Sequence, residues 1–272
     1  MSVTQGFRLG PSESKLLFGL EAKAVDLFTV GDARRILGGP RSAAVDVLHQ
    51  LRRKGRVAHV RKGAYLLVPA RAGIEGSWAE SIFRVIDGIV DPPYYVGFWT
   101  ALNYWGMSPQ IPRTVHVVHL RRRRPFEYQG QRVRYVRLRP DLLFGWSDEP
   151  LPRGSFRISD PEKTVLDGLL LPRHCGGVGE VARAIRTSAE EIRWTRMESY
   201  VRRMHVDAVR RRLGFVLEMT GLAPSLRKRL ARDFSGFRWL DPSGASSRYG
   251  YSMEWGLILN VDPVEIRSWR SA

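Results

Sequence analysis

With 272 residues, 43% of them hydrophobic, the chain can bury a real core as one or two domains, and its composition excludes wholesale disorder. No apolar run reaches the roughly 18–20 residues that a membrane-spanning helix needs, and the opening MSVTQGFRLGPS lacks the apolar stretch of a signal peptide. A single cysteine, Cys175, excludes an internal disulfide framework, so a cytoplasmic protein without membrane contact is expected.

The net charge of +17 comes from 44 Lys and Arg against 27 Asp and Glu, and it is unevenly placed. Residues 1–72 hold 13 Lys/Arg and only 5 Asp/Glu, so a basic N-terminal quarter precedes a milder body. That asymmetry points to a nucleic-acid module joined to something else.

Residues 1–11 are expected to form a flexible N-terminus. From Ser12 to Leu27, Leu16, Leu17, Leu20, Ala24 and Leu27 fall near helical spacing and predict a first helix. Thr29 followed by Asp32 is an N-capping pattern for a second, short helix that Gly38–Gly39 stops. A third helix runs from Arg41 to Lys54, with Ala44, Val47, Leu48 and Leu51 as its buried stripe. Val57–Arg61 and Ala64–Val68 around the turn Lys62–Gly63 predict a β-hairpin.

Helix, helix, helix, hairpin is the order of a winged helix-turn-helix, here assigned to residues 12–70, with a linker from Pro69 to Gly76. A second domain over 77–272 is mixed. Helices are predicted near 77–89, 98–105, 161–171, 179–187, 196–204, 206–220 and 224–232. Strands are predicted near 114–119, 132–138, 154–159, 237–240 and 254–260. The fold class is α+β, a winged helix-turn-helix followed by a larger mixed domain.

In a helix-turn-helix the second helix of the pair enters the major groove, with its N-terminal part at the base edges. Removing the buried stripe leaves Arg41, Ser42, Val45 and His49 for base readout. Arg41 suits guanine, Ser42 a base or phosphate, and Val45 a thymine methyl. Arg52, Arg53 and Lys54 at the far end, and Arg61 and Lys62 at the hairpin tip, suit phosphates. The charge balance favours this over an ordinary solvated surface, since residues 41–63 hold seven Lys/Arg and one acid, Asp46.

RSAAVDVLHQLRRKGRVAHVRKGAYLLVP (41–69) resembles the N-terminal domain of the AbiEi family, antitoxins and transcriptional regulators of abortive-infection toxin–antitoxin systems. YYVGFWTALNYWGMSPQIPRTVHVV (94–118), RISDPEKTVLDGLLLPRHCGGVGEV (157–181) and MESYVRRMHVDAVRRRLGFVLEMTGL (197–222) are similar to later parts of the family. The Arg-Arg-Leu-Gly element at Arg211–Gly214 and the closing WGLILNV (255–261) extend the match, which spans about residues 28 to 262. The resemblance implies an autorepressor whose winged helix binds promoter inverted repeats in double-stranded DNA. It also implies that the C-terminal antitoxin domain counteracts a nucleotidyltransferase-like toxin. The run Arg121, Arg122, Arg123 and Arg124 matches no family feature.

That run, between a strand and Pro125, reads as an exposed basic loop or a second polyanion contact. Arg202, Arg203, Arg210, Arg211 and Arg212 lie on amphipathic helices and read as a charged outer face or a partner surface. His116 and His119 point to opposite faces of a strand, and His174–Cys175 stands alone, so neither pair has metal-ligand spacing. No metal or other cofactor is expected.

A winged-helix-fused nuclease would need Glu-x-Lys beside an acidic strand, but Glu13–Lys15 and Glu21–Lys23 both fall in the first helix. No phosphate-binding loop or nucleotidyltransferase pattern occurs, and no enzymatic activity is expected. The remaining alternative is a repressor whose second domain senses a ligand or a protein.

Overall fold

The computed structural model describes residues 8–68, 81–152, 154–244 and 247–271. The expected linker from Pro69 to Gly76 lies outside them. The chain divides into two compact units. The first comprises residues 1–92 with 125–132 and 150–156, and the second comprises 93–124, 133–149 and 157–272. The segment 82–89, expected in the second domain, therefore falls in the first unit.

The first unit opens with α1 (Pro11–Glu21), then β1 (Leu27–Thr29), α2 (Val30–Leu37), α3 (Arg41–Arg53), β2 (Val57–Arg61), β3 (Ala64–Leu67) and α4 (Ile82–Ile89). Leu16, Leu17 and Leu20 of α1 pack with Phe28, Ala33, Ala44, Leu48, Leu51 and Leu67 into one core. The first helix ends six residues before the predicted Leu27. Ala24 takes a left-handed conformation with φ of 50°, and the Val25 N–H turns back to Leu20 O at 3.0 Å. The chain then enters β1, which pairs antiparallel with β3, so the hairpin gains a third strand in the order β1-β3-β2.

The second unit centres on a sheet of β4 (Tyr94–Gly97), β5 (Thr114–His119), β7 (Gln131–Arg137), β8 (Trp146–Pro150) and β9 (Ser155–Ser159), in the order β7-β5-β4-β9-β8. The short strand β6 (Phe126–Tyr128) falls in the first unit. β4 runs antiparallel to β5 and parallel to β9. The remaining elements are α5 (Trp99–Tyr104), α6 (Pro161–Leu170), α7 (Val178–Thr187), α8 (Trp194–Met204), α9 (Asp207–Thr220), α10 (Pro224–Leu230), β10 (Arg238–Trp239), β11 (Gly250–Ser252), β12 (Leu257–Leu259) and α11 (Pro263–Ser268). β10, β12 and β11 form a small sheet in that order. The predicted helices and strands have counterparts here, while β4, β6, β8, β11 and α11 are additional.

α6 is the buried hub. Asp160 caps it by accepting the Lys163 N–H at 2.8 Å, with Pro161 at its first turn. Lys163 and Asp167, one turn apart, are both fully buried and form an ion pair. The Tyr95 hydroxyl donates to Asp167 Oδ2 at 2.7 Å and accepts from Lys163 Nζ at 2.9 Å. Burial pulls the ammonium down and pushes the carboxyl up, and the attraction between them opposes both shifts.

Candidate nucleic-acid interface

The turn between α2 and α3 is built by local chemistry. Thr29 and Asp32 cap α2 reciprocally, with Asp32 N–H donating to Thr29 Oγ1 at 3.2 Å and Thr29 N–H to Asp32 Oδ2 at 2.8 Å. Gly38 and Gly39 then take φ of 78° and 81°, which favours glycine at both positions. α3 leaves the turn with Ala44, Leu48 and Leu51 fully buried, anchoring it to the core.

The opposite side of α3 exposes Arg41, Ser42, His49, Arg52 and Arg53. Val45 is half-buried and packs against the core, which limits its reach towards a thymine methyl. Lys54 serves the fold: its ammonium donates to Glu13 Oε1 at 2.8 Å, Glu13 Oε2 at 2.6 Å and Arg8 O at 2.7 Å. Burial alone would raise the Glu13 carboxyl, but Lys54 and the Gly10 N–H outweigh it and hold the group below its usual range. Glu13 thus clasps α1 to the end of α3, and Lys15 of the same Glu-x-Lys pattern donates to Leu37 O at 3.0 Å.

At the hairpin, Lys62 is exposed, but Arg61 is half-buried and donates from Nη2 to Ile89 O at the end of α4, at 3.0 Å. A bulge between His59 and Arg61 in the β2–β3 register accompanies this inward turn. His59 sits edge-on to Tyr65 at 5.4 Å. Its partial burial, followed by the positive charge of Arg52, lowers its pKa.

In the second unit, Arg121, Arg122 and Arg124 are exposed between β5 and β6, and Arg123 is half-buried. The basic face expected on α8 and α9 is much smaller than the sequence suggests. Arg202 pairs with Glu198 on its own helix, and Arg203 lies exposed over the Phe144 ring at 4.0 Å. Arg210 is held by Asp207 and by Leu230 O at 2.6 Å.

Arg211 and Arg212, 2% and 5% exposed, are not surface residues. Arg211 donates to Gly236 O at 2.7 Å and Ser235 O at 3.2 Å. Arg212 donates to Leu169 O at 2.7 Å and Trp239 O at 3.1 Å, and burial brings its pKa down to about 10. Both guanidinium forks are thus spent on backbone carbonyls of the same unit.

One grouping escapes the linear sequence. His116 and His174 meet with ring centroids 4.9 Å apart, while His119 accepts the Arg121 N–H at 2.9 Å instead. Arg134 and Arg173 flank the first pair. No cluster of three or more His, Cys, Asp or Glu suited to a metal occurs among the described residues. No helix among them is long and apolar enough to cross a membrane.

Three helices closed by a small sheet, with a basic face on the third helix, are the winged helix-turn-helix class of fold. Residues 16–68, which make up this module, match the family model described as transcriptional regulator, AbiEi antitoxin, and this supports the AbiEi resemblance. Over nearly its whole length the chain is similar to the crystal structure of the RV2827C protein from Mycobacterium tuberculosis. The two are 15% identical with a TM-score of 0.67, covering 95% of this chain and 94% of that one, which is a likeness of fold. No curated protein matches the chain.

Proposed function

We propose that the protein is a DNA-binding antitoxin and autorepressor that works in the cytoplasm without a catalytic step. In this reading α3 enters the major groove at promoter inverted repeats, with Arg41, Ser42 and His49 at base edges and Val45 at their margin. Arg52, Arg53 and Lys62 lie on phosphates, and the second domain counteracts a nucleotidyltransferase-like toxin. The observation that carries the DNA half is the outward face of α3, where arginines at both ends are exposed while Ala44, Leu48 and Leu51 are fully buried and Val47 is half-buried. The toxin half rests on the family description.

The test is equilibrium binding of the full chain to duplex DNA from its own promoter across a salt series. Each phosphate neutralised contributes roughly 0.9 to the log–log slope. Arg52→Gln with Arg53→Gln is therefore expected to flatten the slope by about 1.8, and Arg41→Ala to change sequence preference. Wild-type protein that shows no preference for that promoter over unrelated duplex would overturn the reading. Co-expression of the separated domains with a toxin from the same operon assigns the protective half.

A further inference from the structure

The arginines of the second unit converge on an open cleft of about 990 Å³. Arg122, Arg123, Arg137, Arg139, Arg173 and Arg238 line it, drawn from the β5–β6 loop, β7 and the turn after it, the segment after α6, and β10; of these Arg139 also pairs with Asp141 at 2.9 Å. Among the described residues lining it, Asp207 is the one carboxylate, and Arg210 and Arg211 already bind it. Val136, Leu138 and Leu142 give the cleft an apolar floor.

Arg173 and His174 also border a second, smaller pocket of about 360 Å³, so the two cavities share an edge. The smaller one is lined by Trp99, His116, Arg113 and Arg134, with Ile111, 81% exposed, at its margin. His116 is 8% exposed, yet its Nδ1 has no hydrogen-bond partner among the described residues. The Trp99 indole Nε1, buried in the same pocket wall, has none either. The indole of Trp99 and the imidazoles of His116 and His174 give this pocket aromatic walls beside its arginines.

We propose that this track binds single-stranded nucleic acid, with the backbone along the arginine cleft and one unstacked base in the Trp99–His116 pocket. Arginines spaced over a long open groove suit repeated phosphates better than a single compact anion. A planar heteroaromatic base offers a face to the aromatic rings of that pocket while its phosphates meet the arginines. Aromatic residues beside a positive groove are the general means of holding single strands. The site uses none of the residues of α3.

The experiment is fluorescence anisotropy of the full chain with labelled oligouridylate and oligothymidylate of about twelve nucleotides, a length within single-strand site sizes. Both strands are expected to bind, and the RNA and DNA arms show which sugar is preferred. Arg137→Gln with Arg173→Gln, both at exposed positions of the cleft, should weaken single-strand binding about tenfold and lower its salt slope by about 1.4, while duplex binding stays unchanged. Trp99→Leu should weaken it about tenfold through the lost base contact, with thermal unfolding confirming that the variant folds.

Single-strand affinity unchanged in the double-arginine variant overturns the proposal. An equal loss for duplex and single strands also overturns it, because the arginines then act only as diffuse charge. Polyglutamate that competes as well as oligouridylate overturns it in favour of an acidic protein partner. Arg52→Gln with Arg53→Gln separates this proposal from the promoter reading, since it should impair duplex binding and leave the single-strand site intact.

Discussion

Arg61 and Lys62 are adjacent at the hairpin tip and carry the same charge, yet they have different tasks. Lys62 is exposed, whereas Arg61 gives a hydrogen bond to Ile89 O. Lys62→Ala is therefore expected to lower the salt slope of duplex binding by about 0.9 without loss of stability. Arg61→Ala should instead lower the free energy of unfolding in urea by about 1 kcal/mol, the usual worth of such a bond. A slope reduced equally by both changes would return Arg61 to the backbone contacts.

Lys163 and Asp167 give a second residue-scale expectation. Lys163→Met leaves a buried carboxylate without its partner and should cost about 3–5 kcal/mol in urea unfolding. The double change Lys163→Met with Asp167→Leu should recover much of that loss. A single variant as stable as the wild type would show that the pair is dispensable.

Among the elements, α9 shows best what a motif can conceal. The Arg-Arg-Leu-Gly stretch at 211–214 looks like a surface signature, but each residue is committed to packing. Arg211 fastens the loop that follows α10, Arg212 ties α9 to α6 and β10, Leu213 is fully buried, and Gly214 lets Trp255 lie against the helix. A Cβ at position 214 would stand 2.0 Å from Trp255 Cζ3. Gly214→Ala, which ordinarily favours a helix, should here destabilise the fold by about 1–3 kcal/mol. The indole would also lose its place donating to Glu218 at 2.5 Å, and Trp255 fluorescence should report the shift.

The same helix explains what the sequence does and does not disclose. The periodicity of α3 and the caps of α2 and α6 are local, so the winged module and the start of α6 are legible from residue spacing. β1 is hidden because Leu27 continues a helical pattern until Ala24 breaks it. The fate of Arg211 and Arg212 depends on carbonyls more than twenty residues away. The arginine cleft likewise draws on residues from 122 to 238, a convergence that no window along the chain contains.

Across the second unit, acid should weaken the structure through its paired histidines. Burial, with His174, Arg173 and Arg134 nearby, pulls His116 and His174 from 6.5 down to about 4. Such groups take up protons on unfolding, so their support is complete above pH 6.5 and fades as pH falls towards 4. At pH 5 each contributes a loss of at most about 2 kcal/mol relative to neutral pH. His116→Gln with His174→Gln should flatten the urea midpoint between pH 7 and 5. A midpoint that falls as steeply in the variant would place the acid sensitivity elsewhere.

Cys175 lies at 0% exposure in the core of the same unit, and a Cβ on Gly168 of α6 would sit 3.3 Å from its sulfur. As the chain's single thiol, with its ionisation suppressed by burial, it is out of reach of any reagent while the core is closed. Its rate of labelling is therefore a clock for how often that core opens, readable in the unaltered protein without an introduced probe.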